Sequence, residues 1–344
     1  MSIMKDVIKK LVERRDLDEK EAMEAMSCIM EGEATHAQIA GFITALRMKG
    51  ETIGEITGCA KVMREKSEKI NLGEGYFIDT CGTGGDNSNS FNISTAAAFV
   101  AAAGGVVVAK HGNRSVSSMS GSADVLEALG VNISLEPDQV RRCIEKTGIG
   151  FMFAPAFHKS MKHAAAPRRE LGVRTIFNML GPLTNPANAK GQVLGVFDGA
   201  LTGPVAHVLG TLGVERAMVV HGMDGMDEIT TAALTKVSEL RGGTVSDYMI
   251  NPEEFGVKAA SASDLKGGDP KTNAEIILSI LGGAKGPARD IVLINAAAAL
   301  YVGKAGNSLK ECVGAAGEIL DSGGAKRKLE ELKAFTSSIG GVEA

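Results

Sequence analysis

The chain has no Cys-x-x-Cys pair, no surplus of basic residues and no apolar run long enough to span a membrane. Its five cysteines (Cys28, Cys59, Cys81, Cys143, Cys312) are scattered, which speaks against both a zinc site and a disulfide framework. The odd number fits a reducing compartment. With a net charge of −4 and an isoelectric point near 6.0, it lacks the basic surface that general nucleic-acid binding relies on. The first ten residues carry charge too early and too often for a secretory signal. There is no internal repeat and no low-complexity segment. The expectation is a soluble, cytoplasmic protein that binds neither nucleic acid nor a membrane. At 344 residues it can bury a large core and hold two domains.

Up to about residue 70 the pattern is helical. Ile8, Leu11 and Val12 give a short apolar face. Three capping boxes follow, Asp18–Glu21, Thr35–Gln38 and Thr52–Glu55, the first with Met23, Met26 and Met30 behind it. Helices this short must pack on one another or on a partner chain. The methionine-rich face reads as adaptable core, and a helical dimer interface is a further reading. From Tyr76 the pattern alternates. Strands are expected at 76–78, 106–109, 150–153, 192–197 and 217–220, with Pro137 opening a helix. Segments 233–240 and 244–250, joined through Arg-Gly-Gly, read as a hairpin. Residues 272–335 return to helices. The fold class expected is α/β: a small N-terminal all-helical domain, then a larger domain with a mostly parallel central sheet flanked by helices.

The stretch Tyr76–Thr95 is where chemistry gathers. An apolar strand breaks at Gly82, Gly84 and Gly85 and runs into a helix start at Asn92–Thr95. Such glycines let backbone approach a ligand, and the helix start offers N–H groups to an anion. The turn has no Gly-Lys-Ser/Thr ending, and Asn87 stands where a dinucleotide fingerprint needs glycine. Asp86 would repel phosphate, so it suits a metal, a hydroxyl or a cation. A plain glycine-rich turn with a solvated Asp would look the same.

After the second strand, Lys110–Asp124 holds two cations, an amide and hydroxyls where open α/β sheets bind ligands. Lys110 offers a point charge, Arg114 a planar fork, and Ser115, Ser117, Ser118 and Ser122 can donate to phosphate. Two phosphate-friendly loops from neighbouring strands suggest a pyrophosphate-sized ligand. A third loop carries Asp227-Glu228, a pair that suits Mg²⁺ or, equally, a helix start. Arg168 or Arg169 can pair with a substrate carboxylate; spacing does not choose between them. His111 and His163 are candidate acid–base groups, though isolated histidines are more often structural.

The motifs Asp79-Thr-Cys-Gly-Thr-Gly-Gly-Asp86, Phe91-Asn-Ile-Ser-Thr95, Lys110-His-Gly-Asn-Arg114, Gly121–Glu127, Arg174–Pro186 and Gly225-Met-Asp-Glu228 together resemble the anthranilate phosphoribosyltransferase family. The resemblance spans nearly the whole chain in order and spacing. It implies transfer of phosphoribose from phosphoribosyl pyrophosphate (PRPP) to anthranilate, in tryptophan synthesis, by a homodimer. It implies a dimerising helical domain at 1–70, joined in space by helices near 165–185, and an α/β domain at 74–344. Gly82, Gly85, Asp86, Ser90, Asn92, Ile93, Ser94 and Thr95 would line the PRPP site. Lys110, His111, Gly112, Asn113, Arg114, Ser115, Val116, Ser117 and Ser118 would wrap the pyrophosphate, with Ser122 nearby. Gly82, Asn113 and Arg168 would contact anthranilate. Ser94, Asp227 and Glu228 would hold two Mg²⁺, and Lys110 and Arg168 would act in catalysis. The chain departs from the family at Ser90 (usually Thr), Met119 (commonly Lys) and Lys159-Ser160 (usually Pro-Ala).

Two other readings stand beside this one. A pyrimidine nucleoside phosphorylase shares the architecture but has no use for a tandem Asp-Glu. A non-catalytic nucleic-acid binder of the same fold would carry a basic stripe.

Overall fold

The computed structural model describes residues 3–115 and 119–339. Four helices come first: α1 (Ile3–Val12), α2 (Glu19–Met30), α3 (His36–Lys49) and α4 (Ile53–Glu65). All three expected capping boxes form, so the starts of α2, α3 and α4 are fixed by local chemistry. Glu55 does more than cap. Its carboxylate is fully buried and also takes the Leu17 N–H (2.9 Å) and the Lys49 ammonium (2.9 Å). The buried stripe of α1 is Met4, Val7 and Leu11, at helical spacing. Val12 was expected on that face but is 70% exposed, because one residue past Leu11 turns it about 100° away.

The second part runs β1 (Phe77–Gly82), α5 (Ile93–Ala103), β2 (Val107–Gly112), α6 (Ser122–Ala128), α7 (Pro137–Thr147), β3 (Ile149–Phe153), α8 (Ala154–Phe157), α9 (Lys162–Leu171), α10 (Ile176–Leu183), β4 (Gly191–Gly195), α11 (Thr202–Thr211) and β5 (Arg216–Gly222). Then come the hairpin β6 (Thr235–Arg241) and β7 (Thr244–Ile250), and α12 (Pro270–Leu281), α13 (Pro287–Val302), α14 (Leu309–Asp321) and α15 (Gly324–Ile339). One seven-stranded sheet results, in the order β3-β2-β1-β4-β5-β6-β7. The first five strands are parallel, and β6 and β7 are antiparallel. The alternating pattern and the hairpin are therefore as expected from sequence.

Two features of this sheet place a site. Chain order reverses at β1, which has β2 on one side and β4 on the other; ligands bind at such switch points. In addition β1 pairs with β2 only at Phe77–Val107 and Ile78–Val108. Its pairing with β4 continues to Gly82–Gly195, and β2 stays paired with β3 to Gly112–Phe153. The carboxyl ends of β1 and β2 thus splay apart. Asp79, buried there, spans the opening: it accepts from the His111 N–H (3.2 Å) and from Asn185 Nδ2 (2.8 Å), which also donates to the Ala109 carbonyl (2.9 Å).

Helices α5, α12, α13, α14 and α15 cover one face of the sheet, with alanines of α5 and α13 allowing close approach. On the other face α1–α4 share a core with α9, α10 and α11 through Ala164, Ile176, Phe177, Leu180, Val205 and Leu209. Arg64 of α4 pins this contact. Its Nε donates to the Leu183 carbonyl (2.7 Å) and its guanidinium to the Leu212 carbonyl (2.9 Å), at the ends of α10 and α11. Burial pulls its pKa down to about 10. Arg64→Ala leaves two inward carbonyls unpaired and should destabilise the chain by about 2–5 kcal/mol in denaturant titration; a loss below about 0.5 kcal/mol would show that water satisfies them.

Candidate functional site

The glycine turn after β1 bends through left-handed backbone at Gly84 (φ 66°) and Gly85 (φ 76°), and again at Asn87 and Asn89 (φ 59° and 52°). Glycine, and to a lesser degree Asn, tolerates that region. Gly82 ends β1 for a different reason. A Cβ there would collide with the Asp227 carboxylate, and one on Gly195 of β4 would collide with the Asp227 backbone. Asp227 lies across both strand ends. Its Oδ2 accepts the Gly84 N–H (2.7 Å), and its own N–H reaches Asp86 Oδ2 (3.5 Å).

The start of α5 meets the same acids. The Ser94 N–H donates to Glu228 Oε1 (3.2 Å), and Lys110 places its ammonium on the Thr80 carbonyl and near Ser94 Oγ (3.4 Å). Asn92, the N-cap, makes no side-chain cap bond. Its amide instead donates to the Ser120 carbonyl (3.1 Å) and accepts from Asn273 (3.0 Å). Ile93 and Thr95 are buried, so they face the core with their side chains. Ser90 pairs with Lys266 as an isolated bridge and accepts from Ser88 Oγ (3.2 Å).

The loop after β2 is only partly as the sequence suggests. Lys110 joins the acids, and Asn92 ties α5 to Ser120. Arg114, expected to present its fork to phosphate, instead holds Asp124 (2.9 Å) and Glu127 (2.5 Å) at the surface, over the Phe153 ring. Two carboxylates one turn apart on α6 reach it first, a competition that spacing alone hides. Asn113 is exposed and accepts the Arg114 N–H (2.7 Å); Ser122 Oγ donates to the Asn113 carbonyl (3.4 Å). Asp124 takes the N–H groups of Ser115 (3.0 Å) and Gly121 (2.8 Å). Val116, Ser117 and Ser118 lie outside the described residues.

Three carboxylates thus crowd the crevice. Burial, then the neighbouring Asp86, pushes Asp227 up to about 7. Burial, then Asp227, holds Glu228 well above the usual carboxylate range. Neither is ion-paired among the described residues. Buried acids short of a cation suit a hard divalent ion. Mg²⁺ is usually held by one or two carboxylates together with water and substrate phosphates, and Asp227 and Glu228 could supply such a pair.

A second group gathers around α9 and α10. Arg168 of α9 is half-buried with its guanidinium over the Phe177 ring (5.0 Å), and burial lowers its pKa; Arg169 is exposed. Geometry thereby separates the two arginines that spacing left equivalent. The Arg168 side chain makes no hydrogen bond or ion pair with a described residue. The rings of His111 and His158 sit 5.0 Å apart. Burial, then His158, lowers His111 to about 3; burial lowers His158 to about 4, so both are neutral near pH 7. His163 packs against Gly32 of the helical part. Sequence reasoning missed the roles of Asp79, His158, Asn185 and Gly195. The first three sit in or beside quoted motifs, but Gly195 carried no signal beyond being glycine at a strand end.

Residues 74–326 match the family model described as glycosyl transferase family, a/b domain, and residues 5–67 the helical bundle domain of the same family. The fold and the acid-lined switch point are thus those of a glycosyl-transfer protein. An anthranilate phosphoribosyltransferase of Acetivibrio thermocellus is 66% identical over 98% of this chain and 97% of its own length. The crystal structure of anthranilate phosphoribosyltransferase from Thermus thermophilus superposes with a TM-score of 0.92 at 46% identity, covering 96% of this chain and 99% of that one. The Saccharomyces cerevisiae enzyme in complex with PRPP and Mg gives a TM-score of 0.89 at 28% identity, over 97% and 98% of the two chains. This chain belongs to the anthranilate phosphoribosyltransferase family.

Because Asp227 titrates near 7 when folded and near 4 when unfolded, the folded chain keeps a proton there that the unfolded chain has lost. The ionised carboxylate therefore costs stability increasingly as pH rises from about 4 to about 7. Asp227→Asn should gain melting temperature over the parent by a margin that widens between pH 5 and pH 8 without Mg²⁺; a pH-independent margin would contradict the buried-acid account.

Proposed function

We propose that this chain transfers the phosphoribosyl group of PRPP to the amine of anthranilate, releasing pyrophosphate, in tryptophan biosynthesis. One observation carries the reading: in a member of this family, the 82–86 turn, the start of α5, Lys110 and the Asp227–Glu228 pair meet at one splayed sheet edge. In this reading Gly82, Gly85, Asp86, Ser90 and Asn92–Thr95 line the PRPP site, with Ile93 and Thr95 contributing backbone. Lys110–Ser118 and Ser122 wrap the diphosphate, and Arg114 must leave Asp124 and Glu127 to join them. Ser94, Asp227 and Glu228 would hold Mg²⁺, two ions by this reading, which would supply positive charge against that gathering on the departing pyrophosphate.

The chain's own work is positional and electrostatic. Lys110 and the N–H groups at the start of α5 stabilise the leaving group. The anthranilate amine is neutral and nucleophilic, so the reading needs no strong general base; the lowered pKa values of His111 and His158 accord with that. Arg168, with a guanidinium unclaimed by any described carboxylate, takes the anthranilate carboxylate, beside Gly82 and Asn113. Holding the amine over the anomeric carbon supplies on the order of 7–11 kcal/mol of the barrier.

Domains at 1–70 and 74–344 and a homodimer in the cytoplasm complete the reading. Exposed Val12, Met48 and Ile53 on the helical part support a partner surface there, and five unpaired cysteines support a reducing compartment. No helix among the described residues is long and apolar enough to cross a membrane.

Adding PRPP and Mg²⁺ should quench anthranilate fluorescence as the fluorophore is consumed; an unchanged signal would sink the reading. Arg168→Ala should raise the anthranilate KM far more than the PRPP KM, and equal effects would remove its role. Asp227→Ala with Glu228→Ala should weaken PRPP binding in Mg²⁺, whereas unaltered Mg²⁺ dependence would take both acids out of the metal site.

A further inference from the structure

Arg174 has no part in the chemistry above, yet it touches the centre of it. It stands between α9 and α10, directly before Thr175, whose capping box with Asn178 fixes the start of α10. From there its guanidinium stacks on Phe197 (4.7 Å) and donates to the Gly85 carbonyl. The Arg174 side chain also lies against Gly85 itself, within 3.2 Å of where a Cβ would sit. Phe197 is no passive platform. Its N–H donates to Thr83 Oγ1 (3.1 Å), and the Thr83 N–H donates to the Gly195 carbonyl (2.9 Å). The glycine turn is thus tied to β4 at Thr83 and to Arg174 at Gly85. Arg174 has no carboxylate partner among the described residues.

A trans peptide points its C=O and its N–H in opposite directions. Holding the Gly85 carbonyl toward Arg174 therefore turns the Asp86 N–H away from it, and that N–H makes no hydrogen bond with a described residue. Gly85, in left-handed backbone, is one of the two residues that flank this peptide, and without a Cβ it restrains the peptide's orientation less than any other residue would. Flipped, it would offer a carbonyl oxygen where an anion needs a donor. We propose that Arg174 is a positioning residue that locks the Gly85–Asp86 peptide so that the Asp86 N–H is presented to the diphosphate. The proposal rests on the diphosphate lying against this turn, as read above.

The test compares the parent, Arg174→Met and Arg174→Lys as full chains, with KM for each substrate, kcat and calorimetric binding of PRPP in Mg²⁺. Arg174→Met should raise the PRPP KM and dissociation constant about 10–100-fold, as expected for losing a hydrogen bond from a charged donor. It should leave the anthranilate KM unchanged. Arg174→Lys, with one donor still in reach, should recover part of the loss. An unchanged PRPP KM, or equal rises in both KM values, overturns the proposal. If Arg174→Met does not fold, Arg174→Lys must itself show the selective PRPP effect at reduced size, or the proposal falls. The paired Asp227→Ala, Glu228→Ala variant separates the two levels. PRPP binding that responds to the acids but not to Arg174 defeats the Arg174 role alone. Binding indifferent to both places the diphosphate elsewhere and defeats the underlying reading.

Discussion

Asp227 can lie across the carboxyl ends of β1 and β4 because neither strand carries a side chain there. Gly82 and Gly195 leave the space, and the Gly84 N–H that the turn frees takes the carboxylate. Everything else in the crevice is arranged around that carboxylate. Asp86 approaches from the turn, Glu228 follows it in sequence and caps α5, and Lys110 enters from β2 where the sheet opens. Remove the close approach at either glycine and the acids lose their common focus.

Such a cluster is unfavourable as an isolated object. Carboxylates enclosed beside one another resist ionisation, which is why Asp227 and Glu228 hold their protons above the usual range. A fold tolerates this where a ligand repairs the deficit, and a divalent cation would supply the positive charge that Asp227 and Glu228 lack. The N–H groups that Asp227 and Glu228 now occupy, at Gly84 and Ser94, are the same donors a phosphate would want. Acids and an incoming anion would therefore compete for one set of donors.

The helical part is joined to this crevice by more than the linker. Arg64 closes the ends of α10 and α11, and the apolar faces of α9 and α10 sit in the same core as α1–α4. Since α9 carries Arg168 and the junction with α10 carries Arg174, both arginines and the glycine turn that Arg174 touches are referenced to that core.

Much of the fold was legible in the residues themselves. Capping boxes at Asp18, Thr35 and Thr52, the apolar runs that became strands and the Arg-Gly-Gly hairpin are local signals, set by short-range hydrogen bonding and side-chain period. The glycine turn, Lys110 and Asp227-Glu228 were also visible, because their residue types are chemically unusual for strand ends. Local sequence could not say that Arg114 would be claimed by Asp124 and Glu127, that Arg168 faces inward while Arg169 does not, or that Gly195 must be bare for Asp227 to fit. Those outcomes depend on which groups the tertiary fold brings within a few ångströms, and a one-dimensional pattern carries no record of that distance.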